Sequence, residues 1–199
     1  MLPDNPARAA LAEEAARGVA VEPQLRLLYT AEALTAPAPA QALDLNEELE
    51  TLCAALRESV LCRAGWLYFA PAAGPVPVAL PRRLLQAAVL CWIEGTLTAP
   101  ERRAVLHLET AAGAAVLVLR GGTGRNLPAD ARALLLRTAA ISGGAVVQSG
   151  GSGPFTAALR LPLRTDLPLR VAEEPETLLW DRYSPLQLFL PGFCAGANE

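Results

Sequence analysis

LLQAAVLCWIEGTLT (residues 84–98), AVLHLET (104–110), AAVLVLRGGTGRNLP (114–128) and ARALLLRTAAISGGAVVQSGGSGPFTAALRLPL (131–163) carry the reading of the fold. The first places Leu84, Leu85, Ala88, Val89 and Trp92 on one side of a helix, the stripe an amphipathic helix buries. The next two read as strands joined by the tight turn at 111–113, a hairpin. A second long helix over 129–141 ends at Ser142-Gly143-Gly144, where glycine can take the left-handed conformation that closes a helix. AVVQS and FTAALRLPL, joined through GGSG, then make another hairpin.

Outward from this block the pattern continues. Asp44 followed by Glu47 predicts a capping box for a helix over 45–64, with Leu49, Leu52, Cys53, Leu56, Val60 and Leu61 on its buried stripe. Residues 66–69 have strand character and lead into the Pro/Gly segment PAAGPVPVAL. Two shorter helices, over 7–17 and 24–36, precede the linker at Pro37 and Pro39 and predict a hairpin, the second with Leu25, Leu28, Ala31 and Leu34 on one face. After residue 163 a polar linker leads to a tail in which Trp180, Tyr183, Leu186, Leu188, Phe189, Leu190 and Phe193 concentrate apolar groups. So much apolar area must be covered, either by the chain's own domain or by a partner. A turn over 181–185 and a following strand around Gln187 are the local expectation.

With 199 residues, about half of them apolar, the chain can bury a sizeable core. A net charge of -3 and the absence of any lysine leave no basic excess for a phosphate backbone, and so predict neither nucleic-acid binding nor a lysine-dependent site. No apolar run reaches the length of a membrane span, and the first residues lack the apolar stretch of a signal peptide, which predicts a cytoplasmic protein that leaves the membrane alone. Cys53, Cys62, Cys91 and Cys194 form no CxxC pair and read as reduced core thiols. With a single histidine, His107, in a strand, no metal site is expected.

The order and spacing of residues 24–163 resembles the ATP-binding domain of sensor histidine kinases, the GHKL (Bergerat) fold shared with gyrase and MutL. The likeness is most literal in SGGAVVQSGGSGPFTAALRLPL, where these kinases carry a helix ending in two glycines, a hairpin and a strand ending LPL. It implies an α/β two-layer sandwich, a mixed and largely antiparallel sheet covered by helices on one face, with a short N-terminal helical hairpin. It also divides the chain: 1–43 resembles a remnant of the kinase dimerisation region, 44–163 the ATPase-like domain, and 164–199 is a C-terminal extension.

At the functional positions this chain departs from the family. The asparagine motif of these kinases, whose second Asn holds the magnesium ion, falls on Cys91 and Gly95, neither of which offers a hard oxygen ligand. Glu94 lies next to the metal position but about a quarter-turn away on a helix. The first glycine box falls on residues 120–124, where Gly122 and Gly124 keep the turn while Arg120 replaces the Asp that accepts the adenine amino group. A guanidinium accepts no hydrogen bond. Only residues 125–130 separate this turn from the next helix, so the long phosphate-covering lid is missing. Cys91, Glu94, Gly95, Arg120, Gly122 and Gly124 are therefore vestigial nucleotide-pocket positions, ATP and magnesium are expected to be lost, and no catalytic residue is assigned. The helices before Asp44 contain no histidine to accept a phosphoryl group.

Three functions remain in play. The first is a degenerate, pseudokinase-like bacterial protein that binds another protein, a response regulator or kinase-related partner, in two-component-type signalling, with a homodimer among the possible assemblies. The second is a divergent kinase or ATPase with an altered pocket in which Arg120 meets a phosphate. The third is a site for another small anionic ligand, built from Arg120 and glycine-rich backbone amides.

Overall fold

The computed structural model describes residues 22–35, 39–61, 65–97, 102–123, 127–149, 154–181 and 184–194. Its elements in chain order are α1 (Glu22–Thr35), β1 (Gln41–Asp44), α2 (Leu45–Leu61), β2 (Trp66–Ala70), β3 (Pro77–Leu80), α3 (Arg82–Leu97), β4 (Arg103–Ala111), β5 (Ala114–Thr123), α4 (Ala129–Ser142), β6 (Ala145–Gln148), β7 (Pro154–Pro162), α5 (Pro175–Trp180) and α6 (Pro185–Cys194). The expected helix over 7–17, Cys62, Gly124 and the tail residues Tyr183 and Phe193 lie outside the described residues or have undescribed side chains.

Five strands form the main sheet in the order β2-β4-β5-β7-β6. β2 runs parallel to β4, and every other pairing is antiparallel. The sheet is mixed and largely antiparallel, as its two hairpins dictate. Alternation decides which face is covered. Ala104, Leu106 and Leu108 of β4, Leu117 and Leu119 of β5, and Ala157, Leu159 and Leu161 of β7 are buried under α2, α3 and α4. The intervening residues face away from this helical layer. The result is a two-layer α/β sandwich, the architecture that the resemblance implies.

Gly143 closes α4 at φ 73°, in the left-handed region, with its N–H donated to Ala139 O. Gly144 is needed for a different reason: a Cβ there would sit 2.1 Å from Arg160 O, so α4 turns into β6 directly against the β7 backbone.

β1 and β3, read from the sequence as linker and Pro/Gly segment, pair antiparallel in a second small sheet. Each spans only four residues, too few to display alternation against a proline-rich background. Asp44 ends β1 and starts α2: its Oδ1 accepts 3.0 Å bonds from the N–H groups of Asn46 and Val76. The carboxylate thus satisfies a free helix N-terminal donor and ties it to the start of β3. α2 is described to Leu61, and residues 62–64 of the expected helix lie outside the described residues.

The stripe expected on α1 is also shifted. Tyr29 is buried, Leu25, Ala33 and Leu34 pack against the core, and Ala31 is exposed. Tyr29 donates its hydroxyl to Arg83 O on α3. α1 therefore lies on the ATPase-like domain.

The tail corrects a further expectation. Around Gln187 the chain is helical, not extended. Ser184 Oγ accepts the N–H of Gln187 at 3.1 Å and Pro185 follows at the first helical position, where its fixed φ suits a helix. Leu186 and Phe189, three apart, are buried together with Leu178 and Leu188. The segment folds back on α2 and α3. Trp180 is the exception, 86% exposed.

One buried carboxylate gives the fold a pH dependence. Glu48 on α2 is 4% exposed. Burial pushes its carboxyl up to about 7, although Arg82 stands 2.8 Å away and opposes the shift. Arg82 also donates to Val171 O and so connects this pair to the C-terminal segment. Between the ordinary value near 4.5 and 7 the folded state holds more protons than the unfolded one. Stability contributed by Glu48 is therefore full below 4.5 and lost as pH rises through 7, at no more than about 1.4 kcal/mol per pH unit. Denaturant unfolding of wild type and Glu48→Gln at pH 5 and pH 8 should show the variant gaining on wild type at the higher pH; a constant difference between the two would refute the assignment.

Candidate functional site

The vestigial positions on α3 stand where that helix meets α4. Cys91 is buried, and its thiol is pushed well above the ordinary range, first by burial and then by Asp130 on α4. The shift favours the protonated thiol. Cys53 is likewise buried and raised by that burial to about 12.

Gly95 faces Pro128, which leads into α4. A Cβ on Gly95 would lie 2.4 Å from the proline Cγ and 2.8 Å from its Cδ. The space a ligating side chain would need is filled by a rigid ring. Pro128, just before α4, therefore packs directly on α3 at Gly95.

Glu94 pairs with a cation of the chain itself. Arg26 of α1 donates Nη1 to its Oε1 at 2.9 Å and Nη2 to its Oε2 at 2.5 Å, a two-pronged guanidinium–carboxylate pair, strong for its kind. The same guanidinium lies 3.6 Å from Asp130 Oδ2, 4.0 Å from Cys91 Sγ and 4.4 Å from the centre of the Phe189 ring of α6. Burial opposes the charge of Arg26, but the Glu94 bond and the surrounding acids hold it cationic. α1 and α6 thus meet over the α3–α4 seam with one arginine joining four side chains. No group of three or more His, Cys, Asp or Glu able to hold a metal occurs among the described residues.

The glycine-box positions lie elsewhere. Arg120 pairs with Val105 and Thr156 and is exposed, on the sheet face away from the helices. The residue turned towards α3 is its neighbour Gly121, where a Cβ would fall 2.2 Å from Thr96 Cγ2. So the structure gathers Cys91, Glu94 and Gly95 and sets Arg120 apart from them. Gly122 lies in β5, past the register shift after Arg120.

Sequence reasoning missed Arg26 and Asp130, and named Phe189 only as an apolar tail residue in need of cover. One signal was available, since Arg26 is the lone cation of α1 and sits beside Leu25 and one turn before Tyr29. A cation on a half-buried stripe needs a carboxylate partner.

No protein-family model and no curated protein matches the chain. Solved structures do, and those named here are histidine kinases. The full-length kinase ShkA in complex with AMPPNP aligns at TM-score 0.61 and 15% identity over 84% of this chain, which spans 41% of that one. The Acinetobacter baumannii histidine kinase AdeS aligns at 0.54 and 12% over 83% of this chain and 88% of its own. The catalytic domain of the kinase ThkA aligns at 0.52 and 9% over 62% of this chain and 97% of its own. The chain thus has the fold of histidine-kinase catalytic domains.

Proposed function

We infer that this protein is a non-catalytic, histidine-kinase-like module that acts by binding another protein in two-component-type signalling, a response regulator or a kinase-related chain. The observation that carries this reading is the occupation of the α3–α4 seam by the protein itself: Arg26 engages Glu94 under Phe189, and Pro128 fills the space beside Gly95. A nucleotide entering there would have to displace a two-pronged ion pair and a buried ring. A fold kept while its nucleotide positions are refilled is one whose surfaces do the work, since function resides in sites and not in folds.

No described helix is long and apolar enough to cross a membrane, and the net charge of -3 opposes a nucleic-acid partner.

Calorimetric titration with ATP, with and without magnesium, tests this directly. The expected result is no affinity tighter than about 1 mM, equivalent to only about 4 kcal/mol of binding, and no ATP hydrolysis. Micromolar, magnesium-dependent affinity would instead establish a divergent nucleotide-binding domain.

A further inference from the structure

The sheet face that no described helix covers is apolar and basic. Register sets its residues in rows. Trp66 stands beside Arg103; Tyr68, Val105, Arg120 and Thr156 form the next row; His107, Val118, Ala158 and Val147 the third; Glu109, Val116, Arg160 and Ala145 the last. Trp66 and Tyr68 are 43% and 49% exposed on the edge strand β2. Their rings stack at 5.6 Å between centroids and 12° between planes, and the Arg103 guanidinium lies 4.7 Å over the Trp66 ring. Three arginines face one glutamate, which lies 3.6 Å from His107, in a chain whose acids outnumber its basic residues by three. A contiguous apolar patch of this kind marks an interaction surface, and its charge calls for an acidic occupant.

An acidic surface of matching character exists on the same molecule. Residues 173–181 contain Glu173, Glu174, Glu176 and Asp181 and no cation. Glu173 and Asp181 approach Arg82 and Arg83, whereas Glu174 and Glu176 are exposed and have no ion pair among the described residues. Trp180, 86% exposed, and Val171, 83% exposed, stand bare beside them. α5 packs on α2 and α6, in the helical layer, so this surface and the open sheet face are on opposite sides of the domain.

We propose that a second copy of this chain covers the open sheet face with its acidic α5 segment. Glu174 and Glu176 of one copy meet Arg103 and Arg120 of the next, in neighbouring rows on adjacent strands, and Trp180 packs with Trp66 and Tyr68. Face-to-face pairing of two sheets would set arginine against arginine, which charge opposes. Because the two surfaces are different and lie on opposite sides, the contact is head-to-tail and open-ended rather than a closed pair. Strand and residue spacing give the face roughly 400 Å², which places the contact among weak, transient interfaces. The proposal is independent of nucleotide binding.

Sedimentation equilibrium on the full chain tests it. Wild type should rise above its 20.9 kDa monomer mass with concentration at about 0.02 M salt and lose at least about tenfold in association constant at about 0.5 M. The variant Arg103→Glu with Arg120→Glu, and separately Glu174→Arg with Glu176→Arg, should each stay monomeric. Mixed in equal amounts they should associate again, because the intact sheet face of one meets the intact α5 of the other and the two charge-reversed surfaces attract each other in turn. Trp66→Ala and Trp180→Ala, which leave the charges in place, repeat the comparison should a charge variant melt early. Wild type that stays monomeric, an α5 variant that associates like wild type, or a mixture with no dimer would each overturn the proposal. Association that survives loss of the α5 charges and of Trp180 would identify a different occupant.

Discussion

Replacing Phe189 with alanine is expected to destabilise the protein by about 3–5 kcal/mol, the usual cost of emptying a buried aromatic site. The ring is fully buried and lies where α6 crosses α3, with the Arg26 guanidinium 4.4 Å from its centre. Truncation therefore removes core volume and the π face that helps hold a partly buried cation, a contact worth about 0.5–2 kcal/mol in itself. Trp180 of the same tail supplies the contrast. It is the more exposed of the two by far, and Trp180→Ala in the monomer should shift stability by no more than about 0.5 kcal/mol. Urea unfolding of both variants, read as a change in midpoint at constant slope, checks the pair together. A loss below about 1 kcal/mol for Phe189→Ala would mean that α6 is not docked on the α3–α4 seam.

The same contrast shows what was legible in the sequence. The helix at 82–97, the two hairpins and the glycine stop at Gly143 were readable because each has a period or a turn residue that only one backbone conformation satisfies. The four-residue strands β1 and β3 were not. Their pairing is held by Asp44 and Asn46, whose side chains bond backbone groups of Val76, Ala72 and Gly74 about thirty positions away, and nothing local announces such partners. α6 was misread although its signal is present: Ser184-Pro185-Leu186-Gln187 is a capping sequence, and the proline drew attention to the turn instead of to the helix it opens.

The candidate site was legible at α3 and misleading at β5. Cys91, Glu94 and Gly95 follow from the position of one helix, so locating that helix located them. Arg120 depended on strand parity, where a single residue of offset reverses the face. The resemblance grouped Arg120 with the nucleotide positions without fixing its face, and the structure puts it on the open side of the sheet. Parity was in fact readable from Leu117 and Leu119, which alternate with Val116, Val118 and Arg120, but valine on the open face hid the polar-out pattern that normally gives it away. That same substitution of valine for polar residues is what makes the open face a candidate for coverage.

Restoring an asparagine at Gly95 should damage the fold instead of recovering a metal site. The resemblance to histidine kinases puts the magnesium-holding side chain at this position, so Gly95→Asn is the substitution that would supply one. The Cβ alone would stand 2.4 Å from Pro128 Cγ. A proline ring cannot swing aside as a flexible chain end would, so α4 or the segment before it must move. Overpacking of this sort costs about 1–3 kcal/mol or more, against a helix-propensity gain of only a few tenths when glycine is replaced. Because the collision is at Cβ, Gly95→Ala should show most of the loss. Pairing Gly95→Asn with Pro128→Ala should return part of it, a coupling that a double-mutant cycle measures. Chemical unfolding gives the stabilities, and titration of the variant with magnesium and ATP gives the second readout, expected to stay as weak as wild type because Arg26 still engages Glu94. A stable Gly95→Asn protein that binds ATP with magnesium dependence would show the opposite, that the seam opens and that only the missing ligand separates this chain from a nucleotide-binding domain.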